Sequence, residues 1–328
     1  SALRSCLPCC PALIRVPFGL MPQITDLQFV FVIGKGGVGK TTASAALALA
    51  AASRGKRVLI ALCNSSHEGL SSLLGGPPLT HRIRTLLPGV DAVNMVPEEA
   101  LAEYGQMVLK VRALYKALFG NAAARAFLHG TPGIDTWALL GKAFFHATET
   151  LPSGERRYDM VIVDAPATGH GLSMLRVPEV IVGAAPPGLL RREAERALTL
   201  FHDEARSGVL MVTLAEEMPV TESLELHAAL REELHLPLAG VVVNRLNPAL
   251  FPAEEAEAIE SSLGELPKDD ALRPWLQAAA FRVGREKVQS ASYARLKKHV
   301  EARIYEFGQQ PYLPLRRAHV EIFAQAFL

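Results

Sequence analysis

Six short runs along the chain are apolar at nearly every position: Phe29–Ile33, Arg57–Cys63, Val90–Met95, Met160–Val163, Val209–Leu214 and Ala239–Val243. A strand that is apolar on both faces must be covered on both, so these runs predict a parallel sheet sandwiched between helices. Between them the period changes. Tyr104, Met107, Val108, Val111, Leu114, Tyr115 and Leu118 recur at helical spacing, and Trp137, Leu140 and Phe144 do so again. The stretch from Pro97 to Pro152 therefore predicts an all-helical insertion, about residues 97–150, that interrupts the sheet. Pro186-Pro187-Gly188 breaks the chain ahead of a charged helix from Leu189 to Glu204. Pro252–Ser262 and Arg285–Phe307 read as further helices, and Tyr312–Leu328 as a last short strand and helix. The pattern gives an α/β fold with a mostly parallel sheet, flanking helices and a helical insertion.

Composition narrows the partners. The chain has 328 residues, of which 49% are apolar and 20% charged, and 34 Lys and Arg stand against 33 Asp and Glu. Such a balance argues against long disorder and lacks the basic field that draws proteins to nucleic acid. No run approaches the ~20 apolar residues needed to cross a bilayer, so no stable membrane insertion is expected. Three of four cysteines, Cys6, Cys9 and Cys10, crowd into the first ten residues with no His or Cys pair nearby to complete a metal cage, and Cys63 stands alone in the body. This usage fits a reducing cytoplasm. Residues 1–20 read as an appended or disordered tail, because Pro8, Pro11 and Pro17 would break a targeting helix, and residues 21–328 as one domain.

The chemistry starts at Gly34-Lys35-Gly36-Gly37-Val38-Gly39-Lys40-Thr41, which fits G-x-x-x-x-G-K-[ST]. The motif follows a predicted strand and opens an Ala-rich helix, where glycines let backbone N–H groups wrap a phosphate and the helix N-terminus adds a favourable dipole. Lys40 is placed to reach the β- and γ-phosphates of ATP and Thr41 to ligate Mg²⁺. Lys35, one residue into the motif, is either a solvated loop lysine or a cation that serves phosphate across a symmetric dimer. Asp164 closes a strand beside the loop, as a Mg²⁺ ligand or as a helix N-cap. Asn244 ends another strand, where its amide can read adenine N6 and N7 or make an Asx turn, with Arg245 placed to stack beside the ring.

The run Gly34 to Thr42 resembles the deviant phosphate loop of the dimeric ATPases that include the arsenite-pump ATPase, the tail-anchored-protein-targeting ATPase and the Min and Par positioning ATPases. Asp164-Ala165-Pro166-Ala167-Thr168-Gly169-His170 resembles the D-x-A-P-T-G-H switch of the arsenite-pump and tail-anchored-targeting branch, and Pro132-Gly133-Ile134-Asp135 resembles its P-G-I-D-E element. The resemblance implies a P-loop NTPase fold from about Gln28 to the C-terminus. It further implies a homodimer that uses ATP and Mg²⁺, with Lys35 acting across it, Asp164 sensing the metal, His170 in the switch and Asn244 reading adenine. Pro314 and Leu315 would line the other side of the base, and ATP hydrolysis to ADP would be coupled to an unknown protein client.

The sequence also departs from the family pattern. Asn64 stands where related ATPases place the Asp of a D-P-A-H-like first switch, and an amide orients water but takes no proton near neutral pH. Slow hydrolysis is expected unless His67 or Glu68 substitutes, or unless positioning alone suffices. The zinc cysteine pair, the arsenite cysteine triad and the Met-rich insertion after the second switch are missing, which leaves the 97–150 insertion as the expected client surface. Its apolar stripe reads first as simple helix packing and only second as a groove, since amphipathic helices bury such faces as a matter of course. Two other readings stay open: a nucleotide-gated adaptor that barely hydrolyses, and a Min/Par-type positioning ATPase, against which stand the few basic residues of His319–Leu328 and the net charge of +1.

Overall fold

A computed structural model describes residues 22–63, 68–109, 133–166, 168–311 and 313–328. Among these, one sheet contains β1 (Phe29–Ile33), β2 (Val58–Cys63), β3 (Arg84–Leu87), β4 (Val90–Met95), β5 (Met160–Asp164), β6 (Ser207–Leu214), β7 (Leu238–Leu246) and β8 (Ile304–Gly308). The spatial order is β3-β4-β2-β5-β1-β6-β7-β8, parallel throughout except for the antiparallel edge strand β3. The helices are α1 (Lys40–Ser53), α2 (Glu68–Leu74), α3 (Pro97–Leu109), α4 (Ile134–Thr148), α5 (Thr168–Ala184), α6 (Leu189–Phe201), α7 (Glu217–Glu232), α8 (Ala253–Glu265), α9 (Arg273–His299) and α10 (Arg317–Ala324).

Because side chains alternate along a strand, the two faces of β1 feed two cores. Phe29, Phe31 and Ile33 pack into the layer built by α4, α5, α6, α7 and α9, while Val30 and Val32 pack into the layer of α1, α2 and α10. Alanine fills most of the buried face of α1, which lets that helix lie close to the sheet. The connection leaving β1 runs toward β2 and the one leaving β6 runs toward β7, so the loops diverge and open a crevice at the carboxyl ends of these strands.

In the helical insertion, α3 and α4 pack on each other through Tyr104 and Trp137, whose rings meet edge to face at 6.0 Å. Trp137, Leu140 and Phe144 are buried in the main core, so at these positions the apolar stripe serves packing. Lys142, also buried, pairs with Glu103 and donates to the His81 carbonyl at 3.0 Å, tying both helices to the chain leading into β3. Val111, Leu114, Tyr115 and Leu118 lie outside the described residues.

The C-terminal third corrects the sequence reading. The expected helix Arg285–Phe307 is instead α9, which begins at Arg273 and ends at His299, followed by the strand β8. The last strand thus lies at Ile304–Gly308 and precedes the expected position at Tyr312. A helical period running into Val300 masked the alternation of Tyr305 and Phe307, which point into the α1 layer while Glu306 and Gly308 face out. Edge strand β3 was not foreseen either, because Arg84 and Thr85 are exposed and carry no apolar signal. Helix α8 buries none of its residues and α9 only Val283, Ser292 and Leu296. Leu250, Leu272, Trp275, Phe281 and Val288 are exposed in this region, so large apolar side chains stand on the surface here. Among the described residues no helix is long and apolar enough to cross a membrane.

Candidate functional site

The phosphate loop leaves β1 at Gly34 and enters α1 at Lys40, and two of its glycines are enforced by sterics. Gly34 has φ +150°, and a Cβ there would fall 2.2 Å from the Val212 carbonyl oxygen of β6. Gly39 has φ +101°, and a Cβ there would fall 2.3 Å from the Asn244 amide nitrogen. Both combine a backbone conformation that suits glycine with a contact that excludes any side chain. Gly39 caps α1 without a side-chain hydrogen bond, and the first turn of the helix carries no acidic residue. The positive end of the helix dipole is therefore left for an anion, with Gly36 and Gly37 exposed on the loop and Val38 buried beneath it.

Lys40 and Lys35 point different ways. Lys40 Nζ folds back onto the Gly34 and Lys35 carbonyls at 3.1 and 3.2 Å, in the bowl of the loop, and burial holds its pKa below the usual lysine value against the opposing pull of Asp164. Lys35 Nζ leaves the loop and pairs with Glu222 Oε1 of α7 at 2.6 Å. In its own subunit this cation thus has a carboxylate partner while its side chain stays 41% exposed.

Asp164 sits at the end of β5, in register with Val32 of β1. Thr41 Oγ1 donates to Asp164 Oδ2 at 2.6 Å, and Oδ1 is buried with no hydrogen-bond partner among the described residues. Burial pushes the Asp164 carboxyl up to about 6, opposed by the Thr41 hydroxyl and the Lys40 ammonium. An orphaned buried carboxylate oxygen beside a hydroxyl is a costly arrangement that a hard cation relieves, so Thr41 and Asp164 fit Mg²⁺.

On the far side of Gly39, Asn244 is buried at the end of β7. Its Nδ2 donates to the Val38 carbonyl at 2.8 Å and its Oδ1 accepts from the Arg245 N–H at 2.8 Å. Each end of the amide keeps one further hydrogen-bonding position, so the side chain can brace the loop and still face a base. Gly39, Thr42, Asn244, Arg245, Leu315 and Phe323 border a cavity of about 210 Å³. Pro314, joined to Leu313 by a cis peptide bond, adjoins this wall. Arg245 has φ +56° and reaches toward the Gly37 carbonyl. A larger cavity of about 960 Å³ shares Asn244, Arg245 and Gln309 and is walled by α9 through Phe281, Arg285 and Gln289.

Lys40, Thr41, Asp164, Asn244, Arg245 and Leu315 thus converge on one crevice. Asn64 and His67 lie outside the described residues, as does Ala167, while Thr168, Gly169 and His170 form the first turn of α5. Gly133 caps α4 and Asp135 lies in its first turn. Sequence reasoning missed Glu222, Gln309, Phe323 and the Val212 carbonyl. None belongs to a local motif, and only the packing of distant strands and helices brings them near the loop.

Comparisons with known proteins place the chain in a family. The anion-transporting ATPase family model matches residues 27–184, from just before β1 to the end of α5. ATPase BagA of Mycobacterium tuberculosis is 31% identical over 275 residues, covering 81% of this chain and 78% of its own. ATPase GET3C of Arabidopsis thaliana is 26% identical over 281 residues, 70% of each chain. An arsenical pump-driving ATPase of Acidiphilium multivorum is 27% identical over 274 residues, 74% of this chain and 46% of its own. The chain belongs to the ArsA/GET-type family of anion-transporting ATPases.

Proposed function

We propose that this protein binds ATP with Mg²⁺ in the β1–α1 crevice, hydrolyses it slowly to ADP, and uses the nucleotide to close a homodimer that acts on a protein client in the cytoplasm. The observation that carries the reading is the Thr41–Asp164 pair with its orphaned Oδ1, set against a helix N-terminus that has neither a side-chain cap nor an acid. The α1 N–H groups and Lys40 hold phosphate oxygens, with Lys40 exchanging its loop carbonyls for them. Thr41 and Asp164 hold Mg²⁺, which when bound neutralises charge developing on the β- and γ-phosphates. Asn244 reads the adenine edge while bracing Val38, Arg245 stacks beside the ring, and Leu315 with Pro314 covers the other face. Lys35 leaves its own loop for the nucleotide held by the partner subunit, and Asn64 orients the attacking water without accepting its proton.

Isothermal titration with Mg-ATP and single-turnover hydrolysis test this directly. Wild type binds Mg-ATP, and Lys40→Ala loses about 10- to 100-fold in affinity, the worth of one or two charge-assisted hydrogen bonds. Equal affinity in the variant, or no binding by wild type, refutes the reading. The adaptor reading is favoured by one specific feature, Asn64 in the water-positioning place; binding and dimer closure without measurable turnover would select it.

A further inference from the structure

We propose that Glu222 is a releasable counter-ion that holds Lys35 within its own subunit until nucleotide-driven dimer closure draws the lysine away. Lys35 Nζ stands 2.6 Å from Glu222 Oε1, and the two side chains are 41% and 30% exposed. An ion pair this wet is worth little, so it orders the lysine without trapping it, and a phosphate approached by the loop can outbid it. Glu222 lies on α7, the helix that follows β6, and β6 is the strand whose Val212 carbonyl fixes Gly34. One strand–helix unit therefore seats the start of the loop and restrains its second residue. The next residue toward the N-terminus, Thr221, accepts a hydrogen bond from Arg295 of α9 at 2.9 Å, so the position of α7 at this point also answers to α9.

This proposal rests on the reading that Lys35 serves the partner's phosphates, and the test separates the two. Dimerisation is followed by light scattering against the concentration of a non-hydrolysable ATP analogue with Mg²⁺, in wild type, Glu222→Gln, Glu222→Asp, Lys35→Met and the double variant. Glu222→Gln should lower the half-maximal analogue concentration by about two- to five-fold, the strength of an exposed pair. Glu222→Asp, which keeps the charge, should stay nearer wild type. The advantage of Glu222→Gln should shrink at ~0.5 M salt, where wild type is unlatched by screening, and should vanish in the Lys35→Met background. A merely structural role for Glu222 would depend on neither. Wild-type behaviour of Glu222→Gln, weaker dimerisation in that variant, or a shift that persists without Lys35 overturns the latch while Lys35→Met remains impaired. Dimerisation of Lys35→Met equal to wild type instead overturns the role of Lys35 itself, and the latch with it.

Discussion

At the scale of single residues the crevice contains a buried polar group that its surroundings satisfy poorly. This is Asp164, with one oxygen on Thr41 and the other on nothing among the described residues. Replacing it with Asn keeps an acceptor for Thr41 and removes the buried charge, whose cost from a carboxyl held near 6 is on the order of 3 kcal/mol at neutral pH. Asp164→Asn should therefore raise the melting temperature of the nucleotide-free protein by about 2–5 °C and abolish the further rise that Mg-ATP gives wild type. A lower melting temperature, or full Mg-ATP stabilisation in the variant, would show that the carboxylate is not a metal ligand. Asn64→Asp makes the opposite change at the first switch. If residue 64 takes the proposed water-positioning role, the added carboxylate would serve as a proton acceptor and should speed single-turnover hydrolysis by ~10²- to 10⁴-fold, with some loss of ATP affinity from the added negative charge. An unaffected rate would place the water with another residue. Residues inside the local motif from Gly34 to Thr41 could be singled out because their spacing marks them, and Asp164 because it closes an apolar strand, although its position alone left it between metal ligand and helix N-cap. Glu222 could not be, since its partner lies 187 positions away and meets it only through the order of the strands.

At the scale of elements, continuous apolar runs located every central strand, because burial on both faces leaves no other pattern. Elements with one wet face were harder to read: β3 is an exposed edge and β8 alternates over too few residues, whereas the helix read at Pro252–Ser262 is α8, which buries none of its residues. Helix α4 is the reverse case, so deeply packed that it carries ionisable groups inside. His146 is 3% exposed, with Nδ1 3.1 Å from Glu149 Oε2 and Nε2 without a partner among the described residues. Burial lowers its pKa from the usual histidine value, aided by Lys142 and Arg157 and opposed by Glu149. Below about pH 6.5 the unfolded chain binds a proton at this histidine that the folded chain refuses. The stability this residue contributes is thus present above that pH and lost as pH falls toward the lower folded value, at a slope of up to ~1.4 kcal/mol per unit. Denaturant melts between pH 8 and pH 5 should show His146→Gln less stable than wild type at pH 8, with the gap closing toward pH 5. A gap that stays constant would mean that the histidine titrates alike in both states.

At the scale of the whole molecule, one sheet joins the nucleotide crevice to everything that could respond to it. The loop after β1 touches β6 through Gly34, β7 through Gly39 and Asn244, and α7 through Lys35. Helix α9, with its exposed Phe281, walls the larger cavity that Asn244 and Arg245 also line. If ATP closes two copies face to face with Lys35 crossing between them, nucleotide binding and association are one linked equilibrium, and linkage is reciprocal. Any factor by which ATP tightens the dimer is the factor by which the dimer tightens ATP. The apparent affinity for a fluorescent, non-hydrolysable ATP analogue with Mg²⁺ should then rise with protein concentration, by about 5- to 150-fold between the dilute and saturated limits for a coupling of 1–3 kcal/mol. Lys35→Met should flatten that dependence while leaving affinity at the dilute limit near that of wild type, because a lysine paired with Glu222 in its own subunit takes no part in binding there. Titrations at protein concentrations from ~0.1 to ~50 µM separate the cases. Affinity independent of concentration in wild type, together with a constant scattering mass, would mean that each subunit switches alone and that the client is engaged by a monomer.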